Sequence, residues 1–301
     1  MKIEDIKTIL VIGAGTMGQQ IGFQCAASGY DVMLHDIHDD LLERAKVRIG
    51  KLAKAYQARG RLTEKEAVGA LLRLTATTDP EKAGESADFL SESVPEDPVL
   101  KGEVFSRFNG ICPAHTIFTT NTSSLLPSMF ADATGRPDRF AALHFHDTRH
   151  TNIVDIMPHP GTSPETMSRI SAFAKSIGQV AIVLKKENSG YVFNAMLISL
   201  LESAQTLAAN KVAAIEDIDR SWMGVTGMAA GPFGIMDSIG IDTAHKVTHY
   251  WAGETGKPQL SRNAAFLREY VDKGWLGVKT GRGFYTYPDP AFLSPGFIAG
   301  G

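Results

Sequence analysis

A glycine-rich turn between a strand pattern and a helix pattern dominates the start of the chain. The apolar run Ile9-Leu10-Val11-Ile12 leads directly into Gly13-Ala14-Gly15-Thr16-Met17-Gly18, and a helical pattern follows over Gln19–Ser28. In such a unit the first glycine permits a tight turn, the second lets the backbone approach a pyrophosphate, and the third allows close helix packing. The pyrophosphate then lies at the helix N-terminus, where backbone N–H groups attract anions. We therefore expect a dinucleotide site formed by Gly13, Gly15, Thr16, Met17 and Gly18.

An acidic residue ends the next strand pattern. Asp36 follows Asp31–His35, at the place where a carboxylate can accept hydrogen bonds from an adenosine ribose. Its charge would repel a ribose phosphate, and no arginine follows it directly. The sequence therefore predicts NAD rather than NADP as the cofactor. The alternative for Asp36 is a solvated acid at a strand end.

The first part of the chain alternates short β-branched runs with helical patterns, which predicts a parallel sheet covered by crossover helices. The predicted strands are Thr8–Ile12, Asp31–His35, Phe89–Val94, Ile117–Thr120, Ala141–Phe145, Ile153–Met157 and Val180–Leu184. Asp39–Ala58 and a helix that begins with the capping-box spacing Thr63-Glu64-Lys65-Glu66 predict a helical hairpin arm near residues 39–72. Only helical patterns follow the Lys185–Gly190 segment. We expect an α/β chain with an N-terminal Rossmann domain at 1–187 and an all-α domain at 188–301.

Composition excludes several classes of protein. The 301 residues carry 30 Lys and Arg against 33 Asp and Glu, a net charge of −3, so no global field favours nucleic acid or a membrane surface. The two cysteines cannot form a disulfide framework and suit a reducing compartment. The first residues, Met1–Lys7, carry acids where a signal peptide is apolar, and the apolar stretch Tyr191–Leu201 is about half of a membrane span. We expect a cytoplasmic protein.

Polar residues follow two later strand patterns. Asn121-Thr122-Ser123-Ser124 stands after the fourth strand, His144 lies at the end of the fifth, and Asp155 lies in the sixth. A histidine with a carboxylate partner is a common means of moving a proton near neutral pH. A single histidine on a strand can also be purely structural.

Seven ordered motifs then resemble the 3-hydroxyacyl-CoA dehydrogenase family over nearly the whole chain. They are the glycine-rich turn, Glu92-Ser93-Val94-Pro95-Glu96 with Lys101, Asn121-Thr122-Ser123-Ser124, Arg139–Phe145, Gly190-Tyr191-Val192-Phe193-Asn194, Gly231-Pro232-Phe233-Gly234 and Gly277–Tyr285. The resemblance implies a homodimeric NAD-dependent enzyme of fatty acid metabolism that dimerises through its helical domain. It also implies His144 as general base, Asp155 as its orienting partner, and Ser123 and Asn194 as holders of the reacting oxygen. Glu96 and Lys101 match positions at the nicotinamide end.

The chain departs from the family pattern beside this histidine. The usual run Phe-Phe-Asn-Pro is replaced by Phe145-His146-Asp147-Thr148, and the acid is an aspartate one place earlier than the family glutamate. Asp147 stands at a cofactor-contacting position, but an ionised carboxylate can only accept hydrogen bonds. The segment Phe145–Asn152 is closer to a diketoreductase-like branch whose substrates need not carry CoA. The alternatives are therefore a reductase of free β-keto or diketo acids or esters, and a non-catalytic NAD-binding protein.

Two further patterns concern ligands. His144, His146, His150 and His159 suggest a zinc site, but hydride transfer in this family needs no metal and neither cysteine has ligand spacing to them, so we expect no metal. Residues 43–66 hold eight basic residues (Arg44, Lys46, Arg48, Lys51, Lys54, Arg59, Arg61, Lys65) against three glutamates. This local charge suits the phosphates of CoA, although a solvated helix face would carry the same pattern. The arm contacts the CoA nucleotide in the family, so we favour a small-molecule CoA thioester as the substrate.

Overall fold

The computed structural model describes residues 3–300, so Met1, Lys2 and Gly301 lie outside it, including part of the segment tested for a signal peptide. The chain forms two compact units that divide between Val192 and Phe193. The first unit holds eight strands: β1 Thr8–Ile12, β2 Asp31–His35, β3 Leu74–Thr77, β4 Phe89–Glu92, β5 Ile117–Thr120, β6 Phe140–Phe145, β7 Ile153–Met157 and β8 Val180–Val183. Its helices are α1 Thr16–Ala27, α2 Asp39–Ala58, α3 Glu64–Leu72, α4 Pro80–Gly84, α5 Pro98–Ile111 and α6 Pro164–Ser176.

The eight strands form one sheet in the order β3-β2-β1-β4-β5-β6-β7-β8. The α/β architecture is confirmed, and the predicted parallel sheet is present with one exception, since β7 runs antiparallel to β6. The segment between these two strands, residues 146–152, contains no helix. Parallel neighbours need a crossover of about a dozen residues or more, so this connection is too short to return the chain for a parallel strand.

Alternate residues of the central strands pack into two different cores. In β1, Ile9 and Val11 belong to the core that includes Phe23 of α1, whereas Leu10 and Ile12 belong to the core on the opposite face. Both sets are almost fully buried because helices cover both faces of the sheet. Double burial explains why the strands are continuously apolar rather than alternating.

The predicted hairpin arm forms from α2 and α3. A stripe of one residue per turn, Leu42, Ala45, Ile49, Ala53 and Tyr56, is buried in the core with Phe23. The capping box is present as predicted. The Glu66 backbone N–H donates to Thr63 Oγ1 at 3.3 Å, and the Thr63 N–H donates to Glu66 Oε2 at 2.8 Å.

The second unit is helical. It contains α7 Phe193–Ala209, α8 Ile215–Thr226, α9 Pro232–Ile239, α10 Ile241–Thr255 and α11 Pro258–Asp272. Asp219 and Asp237 are buried and accept backbone N–H bonds from the start of α9 and from Phe284 and Tyr285. These two carboxylates tie the C-terminal segment to the helices.

Across residues 3–300, no helix combines the length and apolar character that a membrane crossing requires. Cys25 and Cys112 are buried free thiols. Burial raises the pKa of the Cys25 thiol to about 12, so it is not a reactive thiolate.

Candidate active site

The loops that carry the predicted site residues follow β1, β2, β4, β5 and β6, which run parallel to one another. The carboxyl ends of parallel strands meet at one edge of the sheet, which is where open α/β sheets bind ligands. The sheet therefore brings the turn after Ile12, the end of β2 and the loops after Glu92, Thr120 and Phe145 to the same edge.

The three glycines of the first loop are needed for different structural reasons. Gly13 has a φ of +95°, and a Cβ there would lie 2.5 Å from the carbonyl oxygen of Ser93. A Cβ on Gly18 would lie 1.8 Å from the carbonyl oxygen of Gly13. A Cβ on Gly15 would have no heavy atom within 4 Å. Gly13 and Gly18 are thus required by the fold, whereas Gly15 opens onto free space of the kind a bound cofactor would occupy.

Asp36 is attached to the same loop. Its Oδ2 accepts a hydrogen bond from the Ala14 N–H at 2.7 Å, and its Oδ1 accepts one from the Ile37 N–H at 2.8 Å. Each carboxylate oxygen has two lone pairs, so acceptor capacity remains for ribose hydroxyls. α1 has no side-chain cap at Gly15, so its first N–H groups can receive a pyrophosphate. These residues fit NAD.

The other two predicted residues of this loop differ in exposure. Thr16 is exposed, whereas the Met17 side chain packs against the core. The Met17 side chain therefore belongs to the protein interior, and its contribution to a cofactor would come from its backbone.

Glu96 organises the loop after β5. Its Oε1 accepts hydrogen bonds from the N–H groups of Ser123 and Ser124, both at 3.1 Å, from Ser124 Oγ at 2.9 Å and from the Thr122 hydroxyl. Burial raises the pKa of Glu96, but these bonds and the charge of Lys101 outweigh it and lower the pKa overall. The structure thus joins two predicted residues, Glu96 and Ser123, and leaves Ser123 exposed.

Lys101 is 1% exposed and bonded to protein groups. Its Nζ lies 2.7 Å from Glu92 Oε1, 3.2 Å from the Val94 carbonyl oxygen and 3.5 Å from Glu96 Oε2. Glu92 also accepts bonds from the Val94 N–H and from Thr120 Oγ1. Glu92 belongs to the motif Glu92–Glu96, but no role was predicted for it. It is the buried residue through which Lys101 fixes the loop after β4.

His144 and Asp155 are opposite residues in the antiparallel pairing of β6 with β7. Opposite residues point to the same face of a sheet, and His144 Nδ1 lies 3.4 Å from Asp155 Oδ2. His146 lies just beyond the end of β6, and its Nε2 lies 3.0 Å from the same oxygen. Burial raises the pKa of Asp155, but the hydrogen bonds and charges of both histidines outweigh it and lower the pKa to about 2. Asp155 is therefore ionised at neutral pH.

Tyr191 covers the histidine. Its ring stacks on that of His144 with centroids 4.7 Å apart and planes 22° apart, and its hydroxyl donates to the Thr122 carbonyl oxygen at 2.7 Å. The φ of +55° at Tyr191 follows Gly190, which also has a positive φ. No role was predicted for Tyr191. Its signal was an aromatic residue inside the motif that ends in Asn194.

Asp147 lies in the loop after β6 and is paired with Arg149. Two of its contacts, from Arg149 Nε to Oδ1 and Oδ2, measure 2.8 and 3.1 Å. The hydrogen bond from Arg149 is the main reason that the pKa of Asp147 is lowered. Tyr56 and Arg61 of the arm bond to the carbonyl oxygen of Thr148 in the same loop. The arm thus holds this loop in place.

The four histidines of the zinc hypothesis are not brought together. His144, His146 and Asp155 have ligand-type atoms within 4.8 Å of one another, and this is the sole such group among residues 3–300. His159 instead bonds to the Pro137 carbonyl oxygen at 2.8 Å. Asn194 belongs to the second unit, where it lies half-buried in the first turn of α7.

Comparison with known proteins identifies the family. Residues 8–188 match the model of the 3-hydroxyacyl-CoA dehydrogenase NAD binding domain, and residues 190–287 match the model of the 3-hydroxyacyl-CoA dehydrogenase C-terminal domain. A probable 3-hydroxybutyryl-CoA dehydrogenase of Bacillus subtilis is 32% identical over 95% of this chain and 99% of its own.

Two solved structures share the fold closely. A diketoreductase, described with the dual catalysis of dicarbonyl compounds, is 39% identical with a TM-score of 0.86, covering 94% of this chain and 99% of its own. The (S)-3-hydroxybutyryl-CoA dehydrogenase of Ralstonia eutropha is 30% identical with the same TM-score, covering 95% of this chain and 100% of its own. With both family models matched along nearly its whole length, the chain belongs to the NAD-dependent 3-hydroxyacyl-CoA dehydrogenase family.

Proposed function

We propose that this enzyme interconverts short-chain (3S)-3-hydroxyacyl-CoA and 3-ketoacyl-CoA, with His144 as the general acid/base. The observation that carries the proposal is the pairing of His144 with an ionised, buried Asp155 across two adjacent strands. The names of the Bacillus and Ralstonia relatives support the hydroxybutyryl-CoA substrate class.

The proton chemistry follows from the hydrogen-bond pattern. An ionised carboxylate can only accept, so the His144 nitrogen that faces Asp155, Nδ1, carries the hydrogen. Nε2 then has a free lone pair that can take the substrate hydroxyl proton during oxidation and return it during reduction. NAD, when bound, supplies the hydride acceptor or donor. Protonation makes His144 a cation, and its bond to Asp155 then becomes charge-assisted and shorter.

The other predicted residues have roles in this proposal. Ser123 donates to the substrate oxygen as charge develops on it, which is worth about 3 kcal/mol per donor in comparable sites. The family resemblance implies the same role for Asn194. Glu96 and Lys101 act mainly by holding the loops at the nicotinamide end, because their polar groups are bonded to the protein. Asp147 can contact the cofactor only as a hydrogen-bond acceptor. Its carboxylate then has to accept from the cofactor while it also accepts from Arg149.

The test compares substrates. NADH oxidation is followed with acetoacetyl-CoA, with free acetoacetate and with a diketo ester, for the wild type and His144→Ala. We expect turnover that strongly favours the thioester, and a loss of about a hundredfold or more in kcat for the variant. A fully active His144→Ala enzyme would contradict the proposed base.

A second candidate is the reduction of free β-keto or diketo compounds. It is favoured by the 39% identity to the diketoreductase and by the altered segment Phe145–Asn152. Turnover of the free compounds alone would establish it. Inactivity on every substrate, with NADH binding intact, would instead support the non-catalytic NAD-binding protein.

We also propose a cytoplasmic homodimer in fatty acid metabolism, associating through the second unit. Support comes from exposed apolar side chains on and beside α8, with Val225 87% and Met228 49% exposed. Such surface is typical of an interface between subunits. Light scattering on the purified chain would give twice the 32.5 kDa chain mass for a dimer.

A further inference from the structure

His146 is bound more closely to Asp155 than the proposed base is. His146 Nε2 lies 3.0 Å from Oδ2, whereas His144 Nδ1 lies 3.4 Å from the same atom. N–H···O bonds in proteins commonly measure about 2.7–3.2 Å. The stronger hydrogen bond to the carboxylate therefore comes from the histidine that is not the proposed base.

The strand geometry explains how one oxygen serves two rings. Asp155 is the cross-strand partner of His144, and His146, one residue beyond the end of β6, reaches the same carboxylate oxygen. The two imidazole rings are 4.6 Å apart at their centroids and meet edge to face. His146 thus approaches the carboxylate diagonally, from the side of the 146–152 loop.

Asp155 is 1% exposed, so water has almost no access to hold its carboxylate. Its orientation depends on protein donors, and the nearer of the two histidines is His146.

We propose that His146 is a positioning residue, which fixes the Asp155 carboxylate so that it can orient His144. This inference rests on the proposed function, since it affects activity only if His144 is the base. Both histidines must carry a hydrogen on the nitrogen that faces Asp155, because the carboxylate can only accept. His146 therefore acts as an N–H donor that holds Asp155, and Asp155 keeps its charge for the imidazolium formed at His144.

A metal ion at the same three side chains is the competing explanation. Their atoms lie within 4.8 Å of one another, a separation that a divalent ion could bridge. A metal ion on His144 Nδ1 would leave the hydrogen of the neutral imidazole on Nε2, which then could not accept the substrate proton. The base proposed for His144 is thus incompatible with such an ion, and this favours the hydrogen-bonded arrangement.

A double-mutant cycle in the full-length enzyme tests the proposal. His146→Phe preserves ring size and removes the donor, and Asp155→Asn removes the carboxylate through which His146 acts. We expect His146→Phe to lower kcat about tenfold, with KM for NADH unchanged and Tm lowered by only a few degrees, because the buried carboxylate loses one donor. The same substitution made in the Asp155→Asn enzyme has no further effect. The proposal would be overturned if His146→Phe lowered kcat equally in the wild-type and Asp155→Asn backgrounds. It would also be overturned if the loss of kcat were proportional to the loss of Tm among the variants.

Rescue and a chelator complete the test. His146→Gln restores an N–H donor, and we expect kcat within about threefold of the wild type. We expect treatment with EDTA to leave kcat unchanged, whereas a loss of kcat that Zn²⁺ restores would overturn the proposal in favour of a metal site.

His144→Ala is measured alongside, as the control that separates the two proposals. If His144→Ala is inactive while His146→Phe is fully active, only the inference fails, whereas an active His144→Ala removes the proposed base itself.

Discussion

Gly18 packs so closely against Gly13 that no side chain fits between the two backbones. A Cβ added at position 18 would lie 1.8 Å from the Gly13 carbonyl oxygen. This contact joins the first turn of α1 to the end of β1. Gly15 lies between the two glycines and has no such contact. Gly13 and Gly18 are therefore needed for folding, whereas Gly15 is needed for binding the cofactor.

We expect Gly15→Ala to fold normally and to bind NADH about tenfold or more weakly, because its Cβ meets only the space that the cofactor needs. Gly18→Ala, the matched control, should lower Tm, since a backbone carbonyl has to move. Calorimetric titration with NADH and thermal melts of both variants measure these effects. Wild-type affinity in Gly15→Ala would show that the cofactor does not approach this backbone.

Asp36→Asn should relax the choice of cofactor. The amide oxygen can still accept from the Ala14 N–H and a ribose hydroxyl, whereas the amide NH2 cannot accept from the Ile37 N–H. The substitution removes the negative charge that repels a ribose phosphate. We expect the preference for NADH over NADPH, as a ratio of kcat/KM values, to fall about tenfold or more, mostly through a lower KM for NADPH. An unchanged ratio would place the ribose away from Asp36.

Asp155 should make stability depend on pH in the acid range. Its pKa of about 2 in the folded chain lies below its ordinary 3.8, so its contribution is complete above about pH 4 and is lost as the pH falls through about 2. The shift corresponds to about 2 kcal/mol. We expect urea unfolding at several pH values to show a difference in the free energy of unfolding between the wild type and Asp155→Asn. This difference should be constant near neutral pH and become smaller in acid. A difference that does not vary with pH would contradict the lowered pKa.

Charge reversal on the arm tests CoA recognition. Lys51 and Lys54 are exposed on α2, so Lys51→Glu with Lys54→Glu should not disturb the core. We expect kcat/KM for acetoacetyl-CoA to fall about tenfold, more at low salt, and the value for free acetoacetate to stay the same. Lys175→Glu on α6 is the control for a change of charge alone. Equal effects on both substrates would mean that the arm does not read the CoA phosphates.

Features encoded within a few neighbouring residues were predictable from sequence. The helix Asp39–Ala58 and the capping box at Thr63 were correct to the residue, because periodicity and capping are local. The strand Leu74–Thr77 was missed, because an edge strand is short and only half-buried and so lacks a clear apolar run. The antiparallel direction of β7 was missed because the prediction assumed a crossover helix before every strand. The connection between β6 and β7 is too short to contain one.

The candidate site was predictable only in part, for a related reason. Asp36 follows β2 and His144 lies near the end of β6, so their place at the sheet edge could be inferred from order along the chain. Tyr191 meets His144 across a long separation in sequence, and Glu92 acts through Lys101 on the next helix. Such partners depend on tertiary packing, which a single sequence does not display.

The antiparallel pairing of β6 with β7 has an evolutionary consequence. His144 and Asp155 are held by the hydrogen-bond ladder of the sheet, whereas residues 147–152, beyond His146, carry no part of that ladder. Insertions and substitutions in residues 147–152 can therefore accumulate while the two side chains keep their mutual distance. Descendants of one ancestral enzyme could in this way diverge in what they accept while inheriting an unchanged means of moving the proton.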